Sequence, residues 1–336
     1  MRFFDSNFLM WRTPWRKASV ALTSRMHISI TALTIGFFLI GCHPEPETVS
    51  RSALFEKFES LGSFGTGAGQ FNKPRSVAVD GRGIVHAVDM TGRVQRFNSK
   101  GRYLGMWQAP ETLKGRPKGM GIDHNGNLML VEPHYQRISH FDSDGKLLKT
   151  WGKTGPSEGE LLFPRAVDAD STGFLFVCEY LSVQRIQKFD FEGHGIKSWG
   201  KEGTGPSEFR RPEGLGIDRE GNVYIADSCN HRIQKFSNDG VFLAQFGKPG
   251  KGLGELHYPY DVKIDASGQI FVCEFGNSRI QVFSKDMTPI ETIGELGDGE
   301  WNFRNPWGIA LDPDHHLWVA DGMNHRLVKL TRRQKR

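Results

Sequence analysis

Short apolar segments separated by polar turns run through most of this 336-residue chain. Within residues 211–247 the segments GLGID, NVYIAD, RIQKF and FLAQFG follow one another, and Gly, Asn and Asp lie between them. Segments of this length with turn residues at both ends are typical of β-strands, and the spacing of an amphipathic helix is absent. The pattern therefore predicts units of four short strands.

The four-strand unit recurs six times. Each copy opens on a proline, reaches an aspartate six residues later, ends its second strand on an acid and begins its third strand on an arginine. The prolines, at intervals of 43 to 48 residues, are Pro74, Pro117, Pro164, Pro212, Pro259 and Pro306, and the aspartates are Asp80, Asp123, Asp170, Asp218, Asp265 and Asp312. A fixed period of this length indicates a repeat architecture.

We predict an all-β fold, a six-bladed β-propeller of four-stranded antiparallel blades, because a ring of such sheets buries both faces of every blade. The last copy stops after its third strand, residues 326–330, while an unassigned strand-like segment, residues 55–65, precedes the first copy. We expect this N-terminal strand to complete the C-terminal blade and close the ring. An open array would instead need polar capping units.

The segment RPEGLGIDREGNVYIADSCNHRIQKF, residues 211–236, resembles the NHL repeat, and at least five of the six copies are similar to it. The resemblance covers roughly residues 55–330 and implies a propeller. It implies little about activity, because NHL propellers include RNA-binding and protein-binding modules, extracellular sensor domains and a zinc-dependent peptide-amidating lyase.

The net positive charge of the whole chain does not indicate a nucleic-acid partner. The chain has 43 basic and 38 acidic residues, but residues 1–42 hold five of the basic residues and one acid, which leaves 38 against 37. A nearly neutral domain has no general attraction for phosphate backbones, so the sequence disfavours nucleic acid as a partner.

The N-terminus has the order of an export signal. An uncharged apolar run, residues 28–40, follows a basic region and is too short to cross a bilayer as a mature helix. The ending LIGC, residues 39–42, resembles the bacterial lipobox, which implies cleavage before Cys42 and a lipid on its thiol. We expect an exported protein held by this lipid on the extracytoplasmic side of a membrane.

Two sets of residues share the face of the ring on which the first strand begins. The acid and arginine at the hairpin between the second and third strands recur in every copy, which favours a structural role as charge-assisted hydrogen bonds. These pairs are Asp89 and Arg93, Glu132 and Arg137, Glu179 and Arg185, Asp227 and Arg232, Glu274 and Arg279, and Asp321 and Arg326.

The residue after each proline breaks the repeat and is the candidate ligand-binding set. Its members are Arg75, Lys118, Arg165, Glu213, Tyr260 and Trp307. We expect them to ring the mouth of the central channel, where a concave site is typical. Three cations, an acid and two aromatic rings would suit an anionic or carbohydrate-like group; ordinary rim residues are the alternative.

No cofactor is predicted, although zinc and calcium belong to an enzymatic alternative. The amidating lyases that the fold resembles hold zinc through histidines near the channel, but no copy here has histidine after its proline. Gluconolactonase-like propellers bind calcium through channel carboxylates, and Glu213, Asp168 and Asp261 are the residues that would imitate them.

These observations predict a signal peptide at 1–41, a linker at 42–53 after lipidated Cys42, a propeller at 54–331 and a basic tail at 332–336. The expected function is that of a non-catalytic binding or scaffold module for a protein or a small anionic or glycan ligand on the channel face. The alternative is a metal-dependent lyase or hydrolase at the channel mouth.

Overall fold

The computed structural model describes residues 52–334, which form six four-stranded antiparallel sheets, the blades of a propeller. In blades 1 to 5 the strands follow chain order from the channel outwards. Their bounds are Pro74–Val79 (β2), Val85–Asp89 (β3), Arg93–Phe97 (β4) and Tyr103–Gln108 (β5) in blade 1; Gly119–Ile122 (β6), Leu128–Glu132 (β7), Arg137–Phe141 (β8) and Leu147–Trp151 (β9) in blade 2; and Pro164–Ala169 (β12), Leu175–Glu179 (β13), Arg185–Phe189 (β14) and Gly195–Trp199 (β15) in blade 3.

Blade 4 contains Pro212–Ile217 (β18), Val223–Asp227 (β19), Arg232–Phe236 (β20) and Phe242–Phe246 (β21), and blade 5 contains Pro259–Ile264 (β22), Ile270–Glu274 (β23), Arg279–Phe283 (β24) and Pro289–Ile293 (β25). Two short parallel pairs, Lys153–Thr154 (β10) with Glu160–Leu161 (β11) and Lys201–Glu202 (β16) with Glu208–Phe209 (β17), lie in the loops that cross between blades.

Blade 6 joins the two ends of the propeller, as the sequence predicts. Its inner strands are Pro306–Leu311 (β26), Leu317–Asp321 (β27) and Arg326–Arg332 (β28), and its outermost strand is the N-terminal Phe55–Leu61 (β1). Strand β1 pairs antiparallel with β28, with Phe58 opposite Leu330 and Phe55 opposite Arg332. Arg332, which the sequence assigns to the tail, therefore belongs to the last strand.

The ring is closed on its inner side as well. Each innermost strand contacts the innermost strands of both neighbouring blades, including β26 of blade 6 and β2 of blade 1. In the described part of the chain the buried apolar side chains form six clusters, one between each pair of adjacent blades. Cys178 and Cys273 are fully buried in two of them, and burial raises the pKa of the Cys178 thiol to about 12.

The six acid and arginine pairs meet at their hairpins, with nitrogen to oxygen distances of 2.5–2.9 Å. Every acid of the set is fully buried or nearly so. The arginines also do more than the sequence suggests. In five blades the guanidinium reaches beyond its own hairpin to the loop that enters the blade.

Blade 4 shows this arrangement. The Arg232 guanidinium donates to Asp227 at 2.8 Å and to the carbonyl oxygens of Thr204, Gly205 and Glu208 at 2.7–2.8 Å. These carbonyls lie in the loop between blades 3 and 4. Arg232 thus adds donors to covered loop carbonyls, beside the Gln234 amide at Glu208 and the backbone N–H of Glu208 at Gly205. Blade 2 differs, since Arg137 there pairs with Glu111 in addition to Glu132.

Among residues 52–334 no helix is long and apolar enough to cross a membrane. The predicted signal peptide and Cys42 lie outside the described residues.

We predict that Phe55→Ala destabilises the whole propeller, because Phe55 is fully buried between blades 5 and 6 and packs 6.2 Å from the ring of Phe271. The expected loss is about 3–5 kcal/mol in the free energy of unfolding by urea, the usual cost of emptying a buried phenylalanine site. Phe64→Ala, at an exposed phenylalanine just after β1, is the matched control and should cost far less. Equal effects would argue against closure by β1.

We predict that Arg232→Ala costs roughly 3–5 kcal/mol of stability, because the buried Asp227 carboxylate loses its cationic partner and three loop carbonyls each lose a donor. Arg232→Lys should fall between wild type and alanine, since an ammonium cannot reproduce the fork of a guanidinium. The control is Arg219→Ala, at an exposed turn position of the same blade, which should change stability by about 0.5 kcal/mol or less. A loss in Arg232→Ala no larger than that of the control would refute this role.

Candidate functional site

The six residues that follow the blade prolines come together at one end of the central channel and line a single cavity there. In five blades a register shift, a β-bulge, lies between the proline and the second residue after it. A bulge removes a residue from the ladder and re-aims its side chain, which explains why this position faces the channel in each of these blades. We call this end the mouth and define it by Arg75, Lys118, Arg165, Glu213, Tyr260 and Trp307.

The mouth is nearly filled by its own side chains. The cavity between them measures about 20 Å³, room for one water-sized group. The sequence suggests a concave ligand site here, and the structure shows a shallow one instead. The reason is that Arg165 and Glu213, both buried, pair across adjacent blades and occupy the axis.

A short chain of charges crosses the mouth. The Glu213 carboxylate accepts hydrogen bonds from Arg165 and, at 2.5 Å, from Arg211. Although burial alone would raise the pKa of Glu213, the charges of Arg165 and Arg211 lower it below its usual value. The same pairing raises the pKa of Arg165 despite its burial. Glu213 therefore stays ionised and is shared by two guanidinium groups.

Arg75 lies beside this chain without an acid of its own. Its guanidinium stacks 4.8 Å from the ring of Trp307, and among residues 52–334 it forms no hydrogen bond or ion pair. Burial, together with the like charge of Arg165, lowers the pKa of Arg75 to about 10. The Trp307 indole N–H likewise has no acceptor among the described residues.

Aromatic rings form the rest of the mouth. Tyr260 stacks on Phe275 at 4.3 Å and meets Trp307 edge-on at 6.4 Å. On the opposite side the Lys118 ammonium donates to the hydroxyl of Tyr180 at 2.9 Å. The described cavity is lined by two carboxylates, Glu213 and Asp261, and by four cations, so the site carries an excess of positive charge; the cations are Arg75, Lys118, Arg165 and Lys263.

Below the mouth, a lysine that sequence reasoning missed separates the upper channel from the lower channel. Lys263 of blade 5 donates to Asp168 of blade 3 at 3.0 Å and to the carbonyl of Leu215 at 2.6 Å, and lies 3.8 Å from Asp261. Burial opposes the charge of Lys263, but Asp168 and Asp261 raise its pKa above the usual value. A repeat alignment could have found Lys263, because the same position holds a small residue in four other blades.

These pairings do not fit a calcium site. Each of the three carboxylates proposed from sequence, Glu213, Asp168 and Asp261, lies within ion-pair distance of an arginine or lysine. A hard cation would have to displace those ammonium or guanidinium groups before it could gain oxygen ligands.

The histidines of the described chain provide no zinc site in the channel either. The one cluster of three potential ligands within residues 52–334 is Asp312, Asp314 and His316, in the turn after β26, away from the mouth. There Asp312 accepts the backbone N–H groups of Asp314 and His316, as its counterparts do in other blades, which is the ordinary chemistry of an aspartate turn.

Comparisons agree with the architecture. The NHL repeat family model matches residues 209–236, 256–283 and 303–330, which lie in blades 4 to 6. No curated protein sequence matches the chain. A virginiamycin B lyase from Staphylococcus aureus is 15% identical with a TM-score of 0.54, over 82% of this chain and 99% of that one.

Two further solved structures have the same shape. A gluconolactonase from Xanthomonas campestris is 15% identical with a TM-score of 0.59, over 79% of this chain and 88% of that one. A chain in a nidogen and laminin complex is 18% identical with a TM-score of 0.53, over 66% of this chain and 80% of that one. At such identities the likeness shows the fold alone.

The described chain is therefore a six-bladed β-propeller that contains NHL repeats in blades 4 to 6.

Proposed function

We propose that this propeller is a non-catalytic binding module whose mouth takes an anionic group from a protein or glycan ligand. The observation that carries the proposal is Arg75, a half-buried cation that forms no ion pair among the described residues, shares the one nearby Glu213 with two other arginines, and has the Trp307 ring beside it. A buried charge without a partner is costly, so a site that keeps one gains when an anion arrives.

The shape of the mouth limits how the ligand binds. A cavity of about 20 Å³ admits one oxygen-sized group and excludes a whole small molecule. The ligand therefore lies on the face of the propeller and places one oxygen of a carboxylate or similar group in the cavity, near Arg75 and Lys118. The rings of Trp307 and Tyr260 offer stacking surface for the part of the ligand that stays outside.

The metal-dependent lyase or hydrolase remains the alternative, because enzymes are among the proteins of similar shape. The site supports it less well, since the carboxylates that would hold the metal already pair with Arg165, Arg211 and Lys263. Stoichiometric calcium or zinc in the purified protein that disappears in Glu213→Gln would favour this alternative over ours.

The location of the protein belongs to the same proposal. A lipid on Cys42 would hold the protein on the extracytoplasmic side of a membrane. A binding module fixed in this way meets partners that share the surface, which raises their effective concentration.

We predict that Arg75→Gln weakens binding of an anionic probe at least about tenfold, because a charged hydrogen bond contributes about 1.5–3 kcal/mol. Suitable probes are a hexaglutamate peptide and a hexagalacturonate, measured by calorimetry, with hexaglutamine and maltohexaose as their uncharged counterparts. The matched control is Arg82→Gln, an exposed arginine of the same blade in the turn after β2, at the opposite end of the channel. Binding should also weaken as salt is added.

Failure of both anionic probes to bind better than their uncharged counterparts would overturn the proposal. So would an equal loss in Arg75→Gln and Arg82→Gln, because general surface charge would then explain the binding. A response to only one of the two probes would tell peptide from glycan as the ligand class.

We predict that Cys42→Ala moves the protein from the membrane fraction to the soluble fraction of the cells that make it, because the variant lacks the thiol that would carry the lipid. Fractionation and the mass of the N-terminal peptide measure the effect, and Cys229→Ala serves as the control. Unchanged membrane retention of Cys42→Ala would contradict the anchor.

A further inference from the structure

The end of the channel opposite the mouth contains a second cavity of about 210 Å³, lined by residues from all six blades. We call it the chamber. Its rim is a collar of half-buried aliphatic side chains, each five residues after its blade proline: Val79, Ile122, Ile217, Ile264 and Leu311. Each collar residue packs on one side against the cluster between two blades and faces the channel on the other.

The chamber exists because the residue directly before the collar position is small in four of the six blades. The fourth residue after the proline is Ala78, Gly121, Gly216 and Ala310 in four blades. These four residues leave the axis open. The other two blades place Asp168 and Lys263 at this position, so the only charged side chains of this layer in the described channel pair with each other at the closed end of the chamber.

The hydrogen-bonding capacity of this pair is unequal. Two of the three Lys263 ammonium protons go to Asp168 and the Leu215 carbonyl, and Asp261 lies 3.8 Å from the same nitrogen. Within residues 52–334, Asp168 accepts only from Lys263 and from the backbone N–H of Ala169. Because a carboxylate has about four lone-pair sites, Asp168 has acceptor capacity left for a ligand, whereas Lys263 has little donor capacity left.

The charged groups near the chamber also favour a ligand that donates a hydrogen bond. Asp168 and Lys263, the two charged groups that line the chamber, balance each other, and an ionised Asp261 carboxylate, which lies 3.8 Å from the Lys263 ammonium and lines the mouth cavity, offsets the lysine further. Lys263 lines both cavities and separates the chamber from the mouth, which its own side chains nearly fill. A ligand of the chamber therefore enters from the collar side, and the free acceptor sites of Asp168, with Lys263 already held by two carboxylates, favour a positively charged hydrogen-bond donor.

We propose that the chamber binds a small aliphatic amine, with its ammonium group against Asp168 and its alkyl chain inside the collar. A volume of about 210 Å³ corresponds to roughly seven water molecules, enough for a short-chain amine and too little for a peptide. The chamber does not depend on the mouth, so this site and the function proposed above can fail independently.

The test is a titration of the full-length protein with n-butylammonium, followed by methyl NMR of the collar residues. We expect saturable shifts of the Ile217, Ile264 and Leu311 methyl signals. Butyrate and 1-butanol, of similar length but without the cation, should shift them weakly or not at all. Affinity should rise about fourfold for each methylene between methylammonium and n-butylammonium as the chain fills the collar.

Two variants separate the charge from the collar. Asp168→Asn should weaken n-butylammonium at least tenfold, while Asp144→Asn, which removes an exposed carboxylate paired with Arg96, should leave the affinity unchanged. Ile217→Trp should block the chamber for every probe without touching the ion pair. Because Asp168→Asn also affects Lys263, the collar variant keeps the proposal testable if the first does not fold.

Collar methyl signals that do not shift with n-butylammonium would overturn the proposal. So would butyrate binding as tightly as n-butylammonium, or an affinity for the amine that survives Asp168→Asn. Arg75→Gln should leave amine binding unchanged, and a loss in that variant would likewise refute a chamber that is separate from the mouth.

Discussion

The structure depends on one constraint: every blade has two apolar faces, and only a neighbouring blade can cover them. Six clusters of buried side chains meet this demand within the described chain, and each lies between adjacent blades. The last interface exists only because β1 returns to pair with β28, which brings Phe55 into the cluster shared by blades 5 and 6. If this strand left, blade 6 would lose its outer edge and the ring would lose its closure.

Polar groups are arranged around the same constraint. The loops that cross between blades lie over the ends of the sheets, where their carbonyls would lose contact with water. The repeated arginines resolve this problem in five blades, since a single guanidinium reaches the acid of its hairpin and the carbonyls of the incoming loop. A buried acid such as Asp227 then has a second role, because it fixes the arginine that holds the loop. The acid and arginine pair recurs because nearly every blade has covered loop carbonyls that need hydrogen-bond donors.

The sequence predicts the features that every blade repeats, but not the contacts of residues that differ between blades. The period, the four strands and the vacancy in blade 6 follow from local pattern, and so does the gathering of Arg75, Lys118, Arg165, Glu213, Tyr260 and Trp307 at one end of the channel. The filling of the mouth could not be predicted, because Arg165 meets Glu213 across 48 residues of sequence. The same holds for Lys263 and Asp168, which are 95 residues apart and in blades that are not neighbours. Contacts between side chains of distant blades in a closed ring leave no local pattern in the sequence.

Departures from the repeat nevertheless have a physical logic that a sequence alignment of the blades can use. Each position of the innermost strand occurs six times, once in each blade, and all six side chains lie around the channel axis. A residue that differs in one blade therefore lies close to its counterparts in the other five blades. Where most blades have a small residue at such a position, a cavity forms in the channel. A charged residue at the same position of another blade then determines which ligand chemistry suits that cavity. At the mouth the charges are mostly positive and the side chains close the space; in the chamber the space is open, its wall is largely aliphatic, and its one acid is paired with its one lysine. One repeated strand therefore produces two chemically different ends along a single channel, and the fold alone accounts for neither of them.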